Sequence, residues 1–499
     1  LQVDDEYSTR MNFYSLYVRD QWQILPDLTF SIGTRWEYLP MPTRANRGVE
    51  RYDFQTNQMM VCGVGGIPKD CNVELSSTLF APRVGLAYRI TNDFVVRAGY
   101  GITNDPFSLA RPHRTNYPML LPLNVEGANS FTPAGSFTTG IPELVAPDFS
   151  SGIIDVPPQI AVNSVGDRLD RGYIQSWNFT IQRRLPGDLV GEIGYIATRT
   201  VRQLGYQDLN AGQVIGAGQE GRPYFAQFGR TARTAVFTPV GHASYNAMQV
   251  RVERRFSAGF ALNANYTWSK TMGVAGLSGS DNEPQVKALQ YYHLNRALAN
   301  IHIPHRFNLA TILELPFGPG KNMLTDGWGA RILGGWQLNT VLYAQSGTPF
   351  TVTASGNSLN LPGSTQVADR VKGDVEKLKG VGRGQSWFDP FAFAPVTEPR
   401  FGNSGFNTLL GPRQFNLDVG LFRTFRVTES VSLQFRAEGF NFTNTPHLSN
   451  PGTNVSSMTL NEDGTIRALN GYTEITSTRN TGREGIDQRI FRFGLRVSF

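Results

Sequence analysis

A cysteine pair, two histidines three residues apart, a glycine-rich hexapeptide and several loop aromatics are the residues here whose types and spacing could do chemistry. Gly216 to Gly221 reads GAGQEG, a formal GxGxxG. A nucleotide site needs a strand before it and, after it, a helix whose N-terminus meets phosphate. Here Arg222-Pro223-Tyr224 follows within a long loop. His302 and His305 mimic a metal pair, but Pro304 interrupts any helix and no carboxylate stands at ligand spacing. Neither GxSxG nor HExxH occurs, so nothing in the sequence marks an enzyme, a cofactor or a metal site. Cys62 and Cys71 lie close together in a Gly- and Pro-bearing stretch. They suit a loop-closing disulfide in an oxidising compartment, the other reading being two free thiols. Tyr117, Tyr224, Phe225, Tyr291 and Tyr292 fall in polar loops, where a ring can stack on a sugar or grip a peptide. Packing within the loops is the plainer role for them. The sequons at Asn178 and Asn265 fall inside predicted strands, not in surface loops.

The elements that must carry these residues show a period of two. In Met11 to Ile24, residues Tyr14, Leu16, Val18, Trp22 and Ile24 share one parity, and Ser15, Arg19, Gln21 and Gln23 take the other. That is a strand with one apolar and one polar face. Pro26-Asp27 makes a tight turn, and Leu28 to Tyr38 alternates again. The unit recurs to the end of the chain, which closes on Phe491, Phe493, Leu495, Val497 and Phe499 against Arg492, Gly494, Arg496 and Ser498. About thirteen such strands, mostly ~10 to 12 residues long, match the tilted bilayer-spanning strand. The polar parity places Arg19, Arg35, Glu37, Arg83, Arg97, Arg251, Glu253, Asp418, Arg436 and Glu438 on the inner wall. There they would hydrate a lumen or dock a plug.

The connections are lopsided. Those near residues 25, 92, 187, 258 and 428 are a few residues long, and PFGPGK is somewhat longer. The alternate ones run over 39–81, 104–172, 199–244, 271–305, 347–413 and 443–488, rich in Gly, Pro, Asn, Ser and Thr. Short turns on one rim and long loops on the other are the asymmetry of an outer-membrane barrel. Closure of the wall would leave no strand edge bare in lipid. Aromatics gather near both strand ends, as two interfacial belts require. No apolar run approaches the length of a spanning helix, and 11% aromatic content excludes disorder. The 46 basic and 40 acidic residues are interleaved, which points away from nucleic acid. The fold class is therefore all-β: an antiparallel transmembrane barrel. The chain opens on Leu1 with no signal peptide, enters its first strand from the long-loop rim and ends on the other. An odd strand count that starts outside implies further strands upstream.

Several segments resemble one family: RALANIHIPHRFNLATILELPFGPGK, GGWQLNTVLYAQSGTPFTV, FRAEGFNFTNTPHLSNPGT, the ITSTRN at 475–480 and the terminal FRFGLRVSF. They are similar to the late barrel of Oar-like TonB-dependent receptors. The resemblance covers essentially the whole chain and is most specific beyond residue 290. It departs where the family commonly has an acidic residue before the His-Arg pair, since this chain reads HIPHRF.

The resemblance implies a 22-stranded barrel in the Gram-negative outer membrane, of which residues 1–499 hold roughly the last thirteen strands. A carboxypeptidase-regulatory-like domain and a plug would lie outside them. It also implies a ligand at the long loops and energy from the TonB–ExbB–ExbD system through the N-terminal part. Phe499 would be the signal read by the barrel assembly machinery. The ligand has no readable code. A passive pore, or an adhesin working through its loops, are the rival expectations.

Overall fold

The computed structural model describes residues 8–105, 108–109, 116–121, 131–136, 138, 140, 145–277, 282–479 and 488–499. Thirteen long strands follow one another in a single antiparallel sheet, each bonded to its neighbours in chain order. They are β1 (Tyr14–Leu25), β2 (Leu28–Tyr38), β3 (Leu79–Thr91), β4 (Phe94–Asn104) and β5 (Tyr173–Leu185). Next come β6 (Leu189–Asp208), β7 (Thr234–Ser257), β8 (Phe260–Val274) and β9 (His305–Glu314). The series ends with β10 (Trp336–Gln345), β11 (Gln414–Arg426), β12 (Ser432–Phe440) and β13 (Ile490–Ser498).

Register carries the alternation of each strand into the whole sheet. One row runs Trp22, Phe30, Leu86, Ala98, Phe179, Tyr195, Met248 and Trp268 across β1 to β8. On the opposite face a row runs Arg97, Thr180, Gly194, Gln249, Thr267, Arg306, Gln345 and Gln414 across β4 to β11. A slip of one residue would turn every apolar side chain to the polar face, so the pattern fixes the pairing. The tight turns serve the same end. At the β7–β8 turn Ala258 and Gly259 both take positive φ, the backbone of a two-residue hairpin whose twist matches its strands.

Two features differ from the sequence expectation. β6 and β7 run to 20 and 24 residues, taking nearly half of what reads as a loop over 199–244 and leaving 209–233 as their connection. A left-handed Arg202 and register shifts at Thr200 and Gln203 break the alternation there, which hides the continuation. The PFGPGK connection is not a simple turn. It spans 315–335 and contains a short helix, Gly327–Leu333. Among the described residues β1 and β13 are not paired with each other, so each leaves one edge open. The described residues of the long connections fold into packed clusters above the strands, one centred on Tyr52, Met59, Tyr117 and Ile154, another on Phe350, Phe388, Phe393 and Tyr472.

Candidate functional site

Two surfaces gather polar side chains: the polar face of the sheet and the packed loops at its long-loop end. On the sheet, all ten residues expected on the inner wall fall on one face by register. They form no single cluster. Arg35 pairs with Glu37, and Arg251 with Glu253, each two residues along its own strand. Arg97 donates to Gln182 Oε1 at 2.6 Å. Asp418 accepts from Asn416 Nδ2 at 2.9 Å and from the Asn441 amide at 2.8 Å. Arg436 donates to Gln434 and lies 5.0 Å over the Phe422 ring, and Glu438 stands opposite Arg492.

Arg19, Arg35 and Arg83 do come together, around a basin of about 380 Å³ floored by Gly33 and Gly85. The glycine is required there: a Cβ at Gly33 would lie 2.8 Å from the Val18 carbonyl oxygen. Three arginines line this hollow, the Arg35 guanidinium already paired with Glu37 and that of Arg19 donating to Gln21, and arginine binds carboxylates with paired, charge-assisted hydrogen bonds.

The loops hold the five aromatics in three places. Tyr117 is buried, 6% exposed, beside Tyr52 and Ile154. Tyr224 and Phe225 sit half-buried at the short helix Phe225–Phe228. Tyr291 packs edge-on against Phe401, and the Tyr292 hydroxyl donates to the Val240 carbonyl. Burial pushes the Tyr292 phenol up to about 12, so it remains a donor at neutral pH. These rings hold the loops together. Cys62 and Cys71 are joined by a disulfide, Cα–Cα 5.3 Å, within the cluster that includes Leu204 of β6 and Phe237 of β7.

The motifs that mimic sites serve local structure. Gly216–Gly221 docks on another loop: Gly216 N donates to Leu359 O and Asn360 Nδ2 to Gly216 O. His302 is buried and its Nδ1 accepts from the Thr271 amide at 3.2 Å, while His305 Nδ1 meets the Tyr266 hydroxyl at 2.8 Å. Burial, and then Lys270, hold His302 below the usual histidine range. Among the described residues no three His, Cys, Asp or Glu side chains are grouped to hold a metal.

A cleft that sequence reading missed lies where two long loops meet. It holds about 300 Å³ and is lined by Gln285, Asn300, Thr351, Thr353, Thr365, Phe406 and Asn407, with no charged residue. Asn407 Nδ2 donates to Leu298 O at 2.6 Å and to Asn300 Oδ1 at 2.7 Å, and Thr365 Oγ1 donates to Gln285 Oε1 at 2.8 Å. Amides and hydroxyls around one ring can hydrogen-bond a neutral polar molecule. Thr and Asn are ordinary loop residues, so only their meeting in space marks them.

Thirteen successive antiparallel strands with one apolar and one polar face, and loops massed on one rim, are the wall of a membrane barrel. A family model described as an outer membrane beta barrel domain matches residues 1–489. The chain belongs to that family. Its apolar face therefore meets lipid, and its place is the outer membrane. No curated protein matches this barrel chain. Solved outer-membrane proteins do. The ferripyoverdine receptor of Pseudomonas aeruginosa bound to ferripyoverdine shares 11% identity at a TM-score of 0.44, covering 98% of this chain and 39% of that one. The outer membrane transporter YddB from Escherichia coli shares 9% at 0.45, covering 98% and 54%. The siderophore receptor PiuA from Acinetobacter baumannii shares 11% at 0.41, covering 98% and 43%. The barrel chain thus spans about two-fifths to just over half the length of these structures.

Proposed function

We propose that these residues are the wall and outer loops of an Oar-like TonB-dependent receptor, a transporter that takes its ligand at the long loops. The observation that carries this is the sheet itself: thirteen strands share one largely polar face, and among the described residues both edges are open. Backbone edges are not left bare in lipid, so the wall is one part of a larger barrel. The polar face, with its arginine basin around Gly33, would dock a plug through carboxylates. The packed loops and the neutral cleft at Asn407 would meet the ligand, with Tyr224, Phe225 and Tyr291 shaping the loops around it. Energy would come from the TonB–ExbB–ExbD system acting on the plug, and Phe499 would guide assembly into the membrane.

Reading the source DNA upstream of the Leu1 codon tests this. The expected finding is an open reading frame encoding a plug, a TonB-contacting segment and further alternating strands. A start codon and signal peptide directly upstream would overturn it.

A further inference from the structure

The connection 315–335 stands on the short-turn rim, between β9 and β10, and it exposes more apolar surface than a turn in water should. Trp328 is 76% and Ile332 61% exposed, with Met323, Leu324 and Leu333 also bare. Trp328 and Ile332 are four apart in the helix Gly327–Leu333 and share one side of it. Ala330, between them, is buried. A contiguous apolar patch on a rim marks a contact surface.

The attachment of the helix says what that contact is. Trp336 Nε1 donates to Ile332 O at 2.9 Å, and Arg423 donates to Ile332 O at 2.9 Å and to Arg331 O. These bonds satisfy carbonyls that the helix end leaves open. Both donors belong to the lipid-facing side of the wall. Trp336 pairs with Arg423, Arg423 with Phe435 and Phe435 with Leu495, a row on the same parity as Leu338, Leu342 and Leu421. Trp336 also packs edge-on against Phe435, and Arg423 lies over the Trp336 and Phe425 rings. The helix is thus held from the outer, lipid side of the barrel, and its bare side chains continue the apolar belt of β10 to β12.

We propose that segment 315–335 is an interfacial anchor seated in the periplasmic leaflet of the outer membrane. Trp328, Ile332 and Leu333 enter the boundary between headgroups and acyl chains, the depth that tryptophan and short amphipathic helices favour. Arg331, stacked on Trp328, lies at the phosphates. Lys321, paired with Glu314 at 2.5 Å, keeps the start of the segment at the water side. The occupant of this face is lipid, not a protein partner.

Nitroxide labelling tests it in the full-length protein reconstituted in phosphatidylcholine–phosphatidylglycerol vesicles. Trp328→Cys and Ile332→Cys are labelled singly, with Asn322→Cys, an exposed polar position of the same segment, as the reference. The two native cysteines are bonded to each other and stay unlabelled. Expected is a several-fold higher ratio of oxygen to nickel-chelate accessibility at 328 and 332 than at 322. Equal ratios at all three sites would place the helix in water and overturn the proposal. Low accessibility to both reagents at 328 and 332 would show a protein covering the face, and would overturn it too. Folding is checked by the heat-dependent gel shift of the barrel. A second readout avoids labels: Trp328→Phe should remove part of the tryptophan fluorescence quenched by brominated lipid, and an unchanged quenched fraction would count against the anchor.

Discussion

Glu50 supplies the negative charge for two buried arginines. Its carboxylate takes Arg44 Nη2 at 2.6 Å and Arg47 Nη1 at 2.7 Å, and both Arg44 and Glu50 side chains are wholly buried. Removing one member of such a buried ionic cluster costs about 3–5 kcal/mol. Glu50→Ala should therefore open the first loop cluster to protease while the gel shift of the barrel is unchanged. A surface pair in the second cluster carries pH dependence. Arg400 donates both Nη atoms to Asp369, at 2.8 and 2.7 Å, and these bonds above all hold the Asp369 carboxyl below the ordinary aspartate range. A carboxyl depressed on folding adds stability that is complete above its unfolded value of ~3.9 and is lost as pH falls through the lower folded value. Amide protection over residues 366–403, taken relative to the intrinsic exchange rate at each pH, should fall from pH 5 to pH 3, and Asp369→Asn should remove that added pH response. None of these partnerships was legible in the sequence. Arg230, buried under Tyr52, bonds to Asn57 and to Ile160 O, which lie 173 and 70 positions away. Nothing in a local pattern announces such a contact.

At the scale of the element, much more was legible. A strand between lipid and a polar lumen must alternate, because its two faces meet different solvents, and that rule writes itself into every second residue. The rule can be tested with neighbours. Leu309 and Ala310 are adjacent in β9 and face lipid and the polar side respectively. Leu309→Arg should cost about 2–4 kcal/mol near the bilayer midplane, and Ala310→Arg far less. Urea unfolding in lipid vesicles measures both. Where the two solvents end, so does the signal. Above Thr200, β6 is packed between protein on both sides, Leu204 and Phe237 being buried, and its continuation reads as loop. The helix Gly327–Leu333 was hidden for a different reason: seven residues bounded by Gly327 and Gly334 are too few to show a helical period. The disulfide lies in this packed region. Replacing both Cys62 and Cys71 by Ser should loosen the 39–78 loop by about 2–3 kcal/mol, seen as faster amide exchange there, with the membrane strands unaffected.

For the molecule as a whole, the strand order was legible because neighbours in sequence are neighbours in the sheet throughout. The neutral cleft around Asn407 was not, since Gln285 and Asn300 come from one loop and Thr351 and Thr365 from another. The open edges give a further expected outcome. Outward amides of β1 and β13 should exchange quickly when residues 1–499 are held in micelles. In the full-length protein they should be as protected as those of β9. Equal exchange in both preparations would mean that nothing pairs with these edges.

The long hairpin of β6 and β7 has one more consequence. Its last eight residues, beyond the irregularity at Thr200, add ~26 Å at the usual rise per strand residue. The short strand Val162–Val165 lies along its side and thickens it. The loops pack against it at Leu204 and Phe237, so it is the spine of the loop layer. The height of that layer above this part of the wall is therefore set by a hydrogen-bonded ribbon continuous with the membrane strands.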